Sequence, residues 1–106
     1  MKKYSLFALA ALAMSLTSSA WAGGDINAGK AAVEKFGCAA CHGADLNSPI
    51  DPTYPKLAGQ HQDYAVAQLT NFRTGVRSNS PEMMAITHRM TDEEIKAVAD
   101  YVAGLQ

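Results

Sequence analysis

Only two of the 106 residues are cysteines, at positions 38 and 41, so no disulfide framework beyond one short bridge can be built. Runs of basic residues are also absent, which argues against nucleic-acid binding through an electrostatic footprint. No stretch alternates apolar and polar residues with the period of a strand, and no segment repeats, which leaves helices and loops. The main uncharged apolar run, Leu6 to Leu16, falls short of the roughly 20 residues that a bilayer span needs.

That short run belongs to a different pattern. Met1-Lys2-Lys3 is a basic start, Thr17-Ser18-Ser19 a polar break, and Ala20-Trp21-Ala22 a small-x-small cleavage site. Residues 1–22 therefore read as a secretory signal peptide, cleaved after Ala22, with a single domain over 23–106. The retained-anchor reading is disfavoured by length. Cleavage would leave 84 of the 106 residues and remove Lys2 and Lys3, so seven basic side chains would face ten acidic ones, about −3 in all. A domain that small gains from a buried cofactor, because its own core is limited.

Three helical segments are predicted. The first spans Ile26 to Phe36, with Asp25 as N-cap, Ile26, Ala32, Val33 and Phe36 as an apolar face and Gly37 as its stop. Gly29 lies inside it, where glycine costs about 1 kcal/mol relative to alanine and often admits a close neighbour. The second spans His61 to Thr74, with Tyr64, Ala65, Gln68, Leu69 and Phe72 at helical spacing and Gly75 just past its end. The third spans Asp92 to Ala103. Thr91 and Glu94 form a capping box, Met90 and Ile95 a hydrophobic staple, and Ile95, Val98, Ala99, Val102 and Leu105 the buried stripe. Residues 43–60 and 75–90 are rich in turn formers and read as loops, long ones for a small domain unless they wrap something.

The chemistry lies in Cys38-Ala39-Ala40-Cys41-His42, the attachment motif of c-type haem. Two thiols three residues apart lie on one side of a helical turn, where both reach the vinyl groups along one porphyrin edge, and the adjacent imidazole faces the iron as proximal ligand. A redox disulfide would sit near a βαβ pattern, which is missing. A zinc site would need two more ligands, and the candidates His61 and His88 are too far apart for finger spacing. Export agrees with haem attachment, which takes place outside the bacterial cytoplasm.

Around that motif, residues 23–106 resemble the class I c-type cytochromes of bacterial periplasms, most closely the short single-haem ones and one half of the diheme ones. The resemblance is carried by Gly24-Asp25 with Gly29-Lys30, by Cys38-x-x-Cys41-His42-Gly43 and by Tyr54-Pro55-Lys56-Leu57-Ala58-Gly59-Gln60. It continues through Tyr64, Gln68-Leu69, Phe72-Arg73, Gly75, Arg77 and Asn79 to Thr91-Asp92-Glu93-Glu94-Ile95 and Ala99-Asp100-Tyr101-Val102. It implies an all-α cytochrome c fold, with three main helices and long loops wrapped around one covalent haem, and with the first and last helices crossing where Tyr101 could lie over Gly29.

The resemblance also implies a methionine as sixth ligand, in the segment before the last helix. Met90 is accounted for by the staple, and the usual offset of seven residues before that position selects Met83 over Met84. His61 and His88 are the competing donors. Pro55 occupies the position whose carbonyl accepts from the proximal imidazole, although an ordinary turn proline is an equal reading. Arg77 and Asn79 could meet a propionate or close the methionine segment.

With Cys38 and Cys41 as thioethers and His42 and Met83 on the iron, no position is open for substrate, and the soft thioether raises the iron potential. The implied function is periplasmic one-electron transfer between respiratory redox complexes, for example from a quinol-oxidising complex to a terminal oxidase or reductase, without catalysis, nucleic acid or a membrane span after signal cleavage. The alternatives are a haem enzyme or gas sensor with an open distal site, and an electron-transfer subunit docked to an oxidase or reductase.

Overall fold

The computed structural model describes residues 25–105, so the signal-peptide reading of 1–22 lies outside the described residues. These residues form five helices: α1 (Ile26–Lys35), α2 (Ala39–His42), α3 (Gln62–Thr74), α4 (Pro81–His88) and α5 (Asp92–Ala103). No strand occurs among the described residues.

The helix ends follow local chemistry. Asp25 accepts from the Asn27 amide at 2.9 Å and starts α1. Gly75, left-handed at φ 83°, terminates α3. Both halves of the α5 capping box are made, Glu94 N–H to Thr91 Oγ1 at 3.1 Å and Thr91 N–H to Glu94 Oε1 at 3.0 Å. Met90 and Ile95 are both buried beneath that cap.

Two segments depart from the sequence reading. Residues 75–90 are not one loop, because Pro81–His88 form α4. Pro81 acts here as a helix starter, since at the first turn its missing N–H costs nothing and its φ is already helical. Ser80 caps that turn, and Glu82 favours the positive helix end. The segment 43–60 is a loop, but a tightly bonded one. Asp45 accepts from the Asn47 and Ser48 amides, each at 2.9 Å, and Asp51 from the Thr53 amide at 2.8 Å. Leu46 is buried at positive φ, and its carbonyl accepts from both Leu57 N–H and Ala58 N–H.

The core lies where α1 crosses α5 and α3 packs against α5 and α4. Ala32, Val33, Phe36, Leu46, Ala65, Met90, Ile95, Val98, Ala99 and Val102 form one cluster. At the α1/α5 crossing a Cβ on Gly29 would overlap Tyr101 Cβ and come within 2.6 Å of the Ala97 carbonyl, so the absent side chain sets the approach. Lys35 and Glu94 pair across α1 and α5 at 2.6 Å. Arg73 ties α3 to the α4–α5 junction through Asp92 at 2.5 Å and the Met90 carbonyl at 3.2 Å. Gly59 N–H donates to the Val102 carbonyl at 2.8 Å, which pins the long loop to α5.

Candidate cofactor site

Helix α2 is a single turn, with His42 N–H bonded to the Cys38 carbonyl at 3.0 Å and Gly43 N–H to the Ala39 carbonyl at 3.0 Å. That turn puts Cys38 and Cys41, both half-buried free thiols, on one side. Burial pushes the Cys38 thiol up, against a smaller pull down from its own backbone amide, so it rests protonated.

His42 is buried, and its ring lies 2.7 Å through Nδ1 from the Pro55 carbonyl oxygen. A carbonyl can only accept, so Nδ1 carries a proton and Nε2 is the nitrogen left to face a metal. The backbone of the long loop thereby fixes the tautomer that a metal-binding imidazole needs. Tyr54 packs edge-on against the same ring, with centroids 6.3 Å apart and planes at 63°. Its phenol is pushed up, first by the neighbouring Cys41, then by burial and by Glu82.

Met83 and Met84 lie on the first turns of α4, both half-buried. Met84 lines a shallow apolar groove with Phe72, Thr74, His88 and Arg89, between the end of α3 and α4. Met83 takes no part in that groove. Of the competing donors, His61 is the exposed N-cap residue of α3, and His88 ends α4, exposed beside Met84. Arg77 donates to Asn79 Oδ1 at 3.2 Å and to Gln68 Oε1 at 3.1 Å, and its guanidinium stacks 4.4 Å from the Phe72 ring centroid. The pair thus closes the turn between α3 and α4. Sequence reasoning missed Ser80 and Thr87, whose hydroxyls bond the Met83 backbone. The signal available was Ser80 directly before Pro81, a cap followed by an N1 proline.

The residues present fit a covalent haem. Two reduced thiols and an imidazole with its tautomer set stand within five residues. Ile50, whose amide bonds the Cys41 carbonyl at 3.2 Å, is left 70% exposed beside the motif as an apolar surface that protein does not cover. Among the described residues no three His, Cys, Asp or Glu side chains stand close enough together to hold a metal ion.

An all-α domain of this size, with a Cys-x-x-Cys-His turn and a carbonyl-anchored histidine, is a c-type haem domain. Comparison with known proteins agrees: residues 26–106 match the cytochrome c family model, and the chain belongs to that family, with covalently bound haem c as its cofactor. It is 43% identical over 95 residues to a cytochrome c4 of Pseudomonas aeruginosa, covering 88% of this chain and 44% of that protein. It is 41% identical over 95 residues to a thiosulfate dehydrogenase electron acceptor of Stutzerimonas stutzeri, covering 89% and 44% respectively. The crystal structure of reduced recombinant cytochrome c4 from Pseudomonas stutzeri superposes with a TM-score of 0.66 at 29% identity, over 77% of this chain and 50% of that one. The chain thus spans about half the length of the relatives it matches. Among the described residues no helix is long and apolar enough to cross a membrane.

Proposed function

We propose that this chain is an exported one-electron carrier of the periplasm, with Cys38 and Cys41 as haem thioether donors and His42 and Met83 as axial donors. The observation that carries the reading is the 2.7 Å bond from His42 Nδ1 to the Pro55 carbonyl, which supports a histidine fixed for ligation. Haem c, when bound, supplies a one-electron couple tuned by its axial donors. The chain does the rest by holding still. Cys38 and Cys41 would tie the group to α2, the Pro55 carbonyl holds the His42 ring, and Met83 on α4 would supply the soft thioether. With both axial donors supplied by the protein, no position is left for substrate, which favours transfer over catalysis. Export rests on the leader-like residues 1–22 and on the need to attach haem outside the cytoplasm.

Donor and acceptor are larger redox proteins, such as a quinol-oxidising complex on one side and a terminal oxidase or reductase on the other. A second reading is favoured by one observation: a relative 41% identical to this chain is named a thiosulfate dehydrogenase electron acceptor, which fits an electron-transfer subunit docked to a partner. Purification of the chain alone, rather than only within a complex, separates the two.

The test is an optical spectrum of the purified holoprotein, oxidised and then reduced with added carbon monoxide. A weak near-infrared sulfur-to-iron band, with no carbon monoxide shift, is expected. Met83→Ala should remove the band and Met84→Ala should keep it. A high-spin form that binds carbon monoxide readily would replace this reading with an enzyme or gas sensor.

A further inference from the structure

Met83 is bonded from both ends by side chains of its own helix. Its amide donates to Ser80 Oγ at 3.2 Å, and its carbonyl accepts from Thr87 Oγ1 at 2.7 Å. The Thr87 hydroxyl also reaches the Met84 carbonyl at 3.3 Å. Ordinary capping accounts for Ser80. It does not account for Thr87, which sits one residue from the end of α4 and is 0% exposed. A β-branched residue is a poor helix former, and a hydroxyl that bonds back to the fourth carbonyl before it slightly destabilises a helix. Valine would fill the same space with no polar atom to satisfy. What threonine adds at this buried position is a bond to the Met83 carbonyl that valine could not make.

The hydroxyl restrains the Met83 carbonyl rather than adding helix stability, which must come from packing. Eight residues make only about two turns, too few to be stable alone. Competing donors stand on the same helix. Met84 follows Met83 at a rotation of about 100°, and His88 follows Thr87 directly. Fraying or a shift of register would bring one of them round in place of Met83.

We propose that Thr87, together with Ser80, is a positioning residue for Met83: the two hydroxyls fix the peptide planes on either side of its Cα and so aim its thioether, excluding Met84 and His88. The assignment rests on the reading of Met83 as an axial donor. It concerns the direction of the side chain, not its identity, and adds no step to electron transfer.

The test compares wild-type holoprotein with Thr87→Val, Thr87→Ser, Ser80→Ala and Met83→Ala. Three measurements are made: the near-infrared sulfur-to-iron band, displacement of the native ligand by added imidazole, and unfolding in denaturant. Thr87→Val keeps the shape and removes the donor. It is expected to bind imidazole about fivefold more tightly than wild type, the effect of one net hydrogen bond. Thr87→Ser restores the hydroxyl and is expected to return the affinity toward wild type, while Ser80→Ala shifts it in the same direction as valine. If Thr87→Val lowers stability but leaves imidazole affinity unchanged, the threonine is only structural and the proposal falls. If Thr87→Val does not mature, Ser80→Ala decides in its place, and wild-type imidazole affinity there overturns the clamp. A band that survives Met83→Ala overturns the ligand reading itself, a result distinct from an intact ligand with an idle clamp.

Discussion

His42 is placed by residues on both sides of it in the chain. Pro55 holds its ring, and Gly43 lets the backbone turn away directly after it. Gly43 adopts φ 95°, a conformation that L side chains rarely take, and a Cβ there would overlap the Ser48 carbonyl. The Gly43→Ala variant must therefore move either the 43–48 turn or His42. It is expected to lose about 2–3 kcal/mol of stability, the range for overpacking combined with backbone strain, read as a lower denaturant midpoint. An unchanged midpoint would show that the turn yields freely. At this scale the site was partly legible from sequence. Cys38, Cys41 and His42 announce themselves by spacing, because haem attachment needs adjacent residues. The Pro55 contact, 13 residues away, was reachable only through resemblance, since nothing local tells an anchoring carbonyl from an ordinary turn. Thr87 was not legible at all, because a hydroxyl aimed back along its own helix leaves no pattern.

Helix α5 is the element that the sequence specifies best. Its start depends on contacts within four residues, and such contacts are visible in a string of letters. Thr91→Ala removes the acceptor for the Glu94 amide and should cost about 1 kcal/mol, measured by thermal or denaturant unfolding. The α1/α5 crossing is specified more subtly. Gly29→Ala gains helix propensity worth about 1 kcal/mol but drives a methyl into Tyr101 and the Ala97 carbonyl. Backbone cannot swing aside as a side chain can, so the net expected result is a loss of about 1–3 kcal/mol. A gain in stability would show that the two helices separate without penalty. Helix α4 escaped the sequence reading because proline and serine signal turns as readily as helix starts, and eight residues are too short for a periodic pattern to outvote them.

The long loop has its own dependence on pH. Asp45 and Asp51 are both held below the usual carboxylate range, chiefly by the backbone amides of Asn47 and Thr53 that their side chains cap. A carboxyl with a lowered folded pKa adds stability above its unfolded pKa, and that share is lost as pH falls through the folded value. The loop should therefore loosen below about pH 4, where unfolded aspartates take up protons. Both side chains are exposed, so the effect is modest. Hydrogen exchange of the Asn47, Ser48 and Thr53 amides should speed up there beyond the intrinsic pH dependence, and uniform protection down to pH 2 would contradict this account.

At the scale of the molecule, the sequence conveyed the class but not the cohesion. An all-α chain with a haem motif was readable, whereas the fitting of the 43–60 loop against α5 depends on Gly59 meeting Val102, a pairing across more than forty residues that no local rule supplies. Among the described residues eleven apolar side chains are buried, three of them alanine, and these come mainly from α1, α3 and α5. A core of that size sustains only a few kcal/mol in a domain of some 80 residues. Helix α2 and its loop add only Leu46 to that cluster, with Cys38, Ala39 and Leu57 packed at its edge, and Ile50 stays open to solvent. The haem, when bound, would supply an apolar partner for that half of the molecule. Cys38→Ser combined with Cys41→Ser prevents attachment while leaving every buried core residue in place. The double variant is expected to lose cooperative unfolding, with far-ultraviolet circular dichroism falling gradually on heating instead of through one transition. The His42–Pro55 bond should loosen with it, seen as broadened loop amides in nuclear magnetic resonance spectra. If the variant instead melts in one sharp transition near that of the holoprotein, the three long helices suffice alone. The haem would then be a passenger on the fold rather than part of its core.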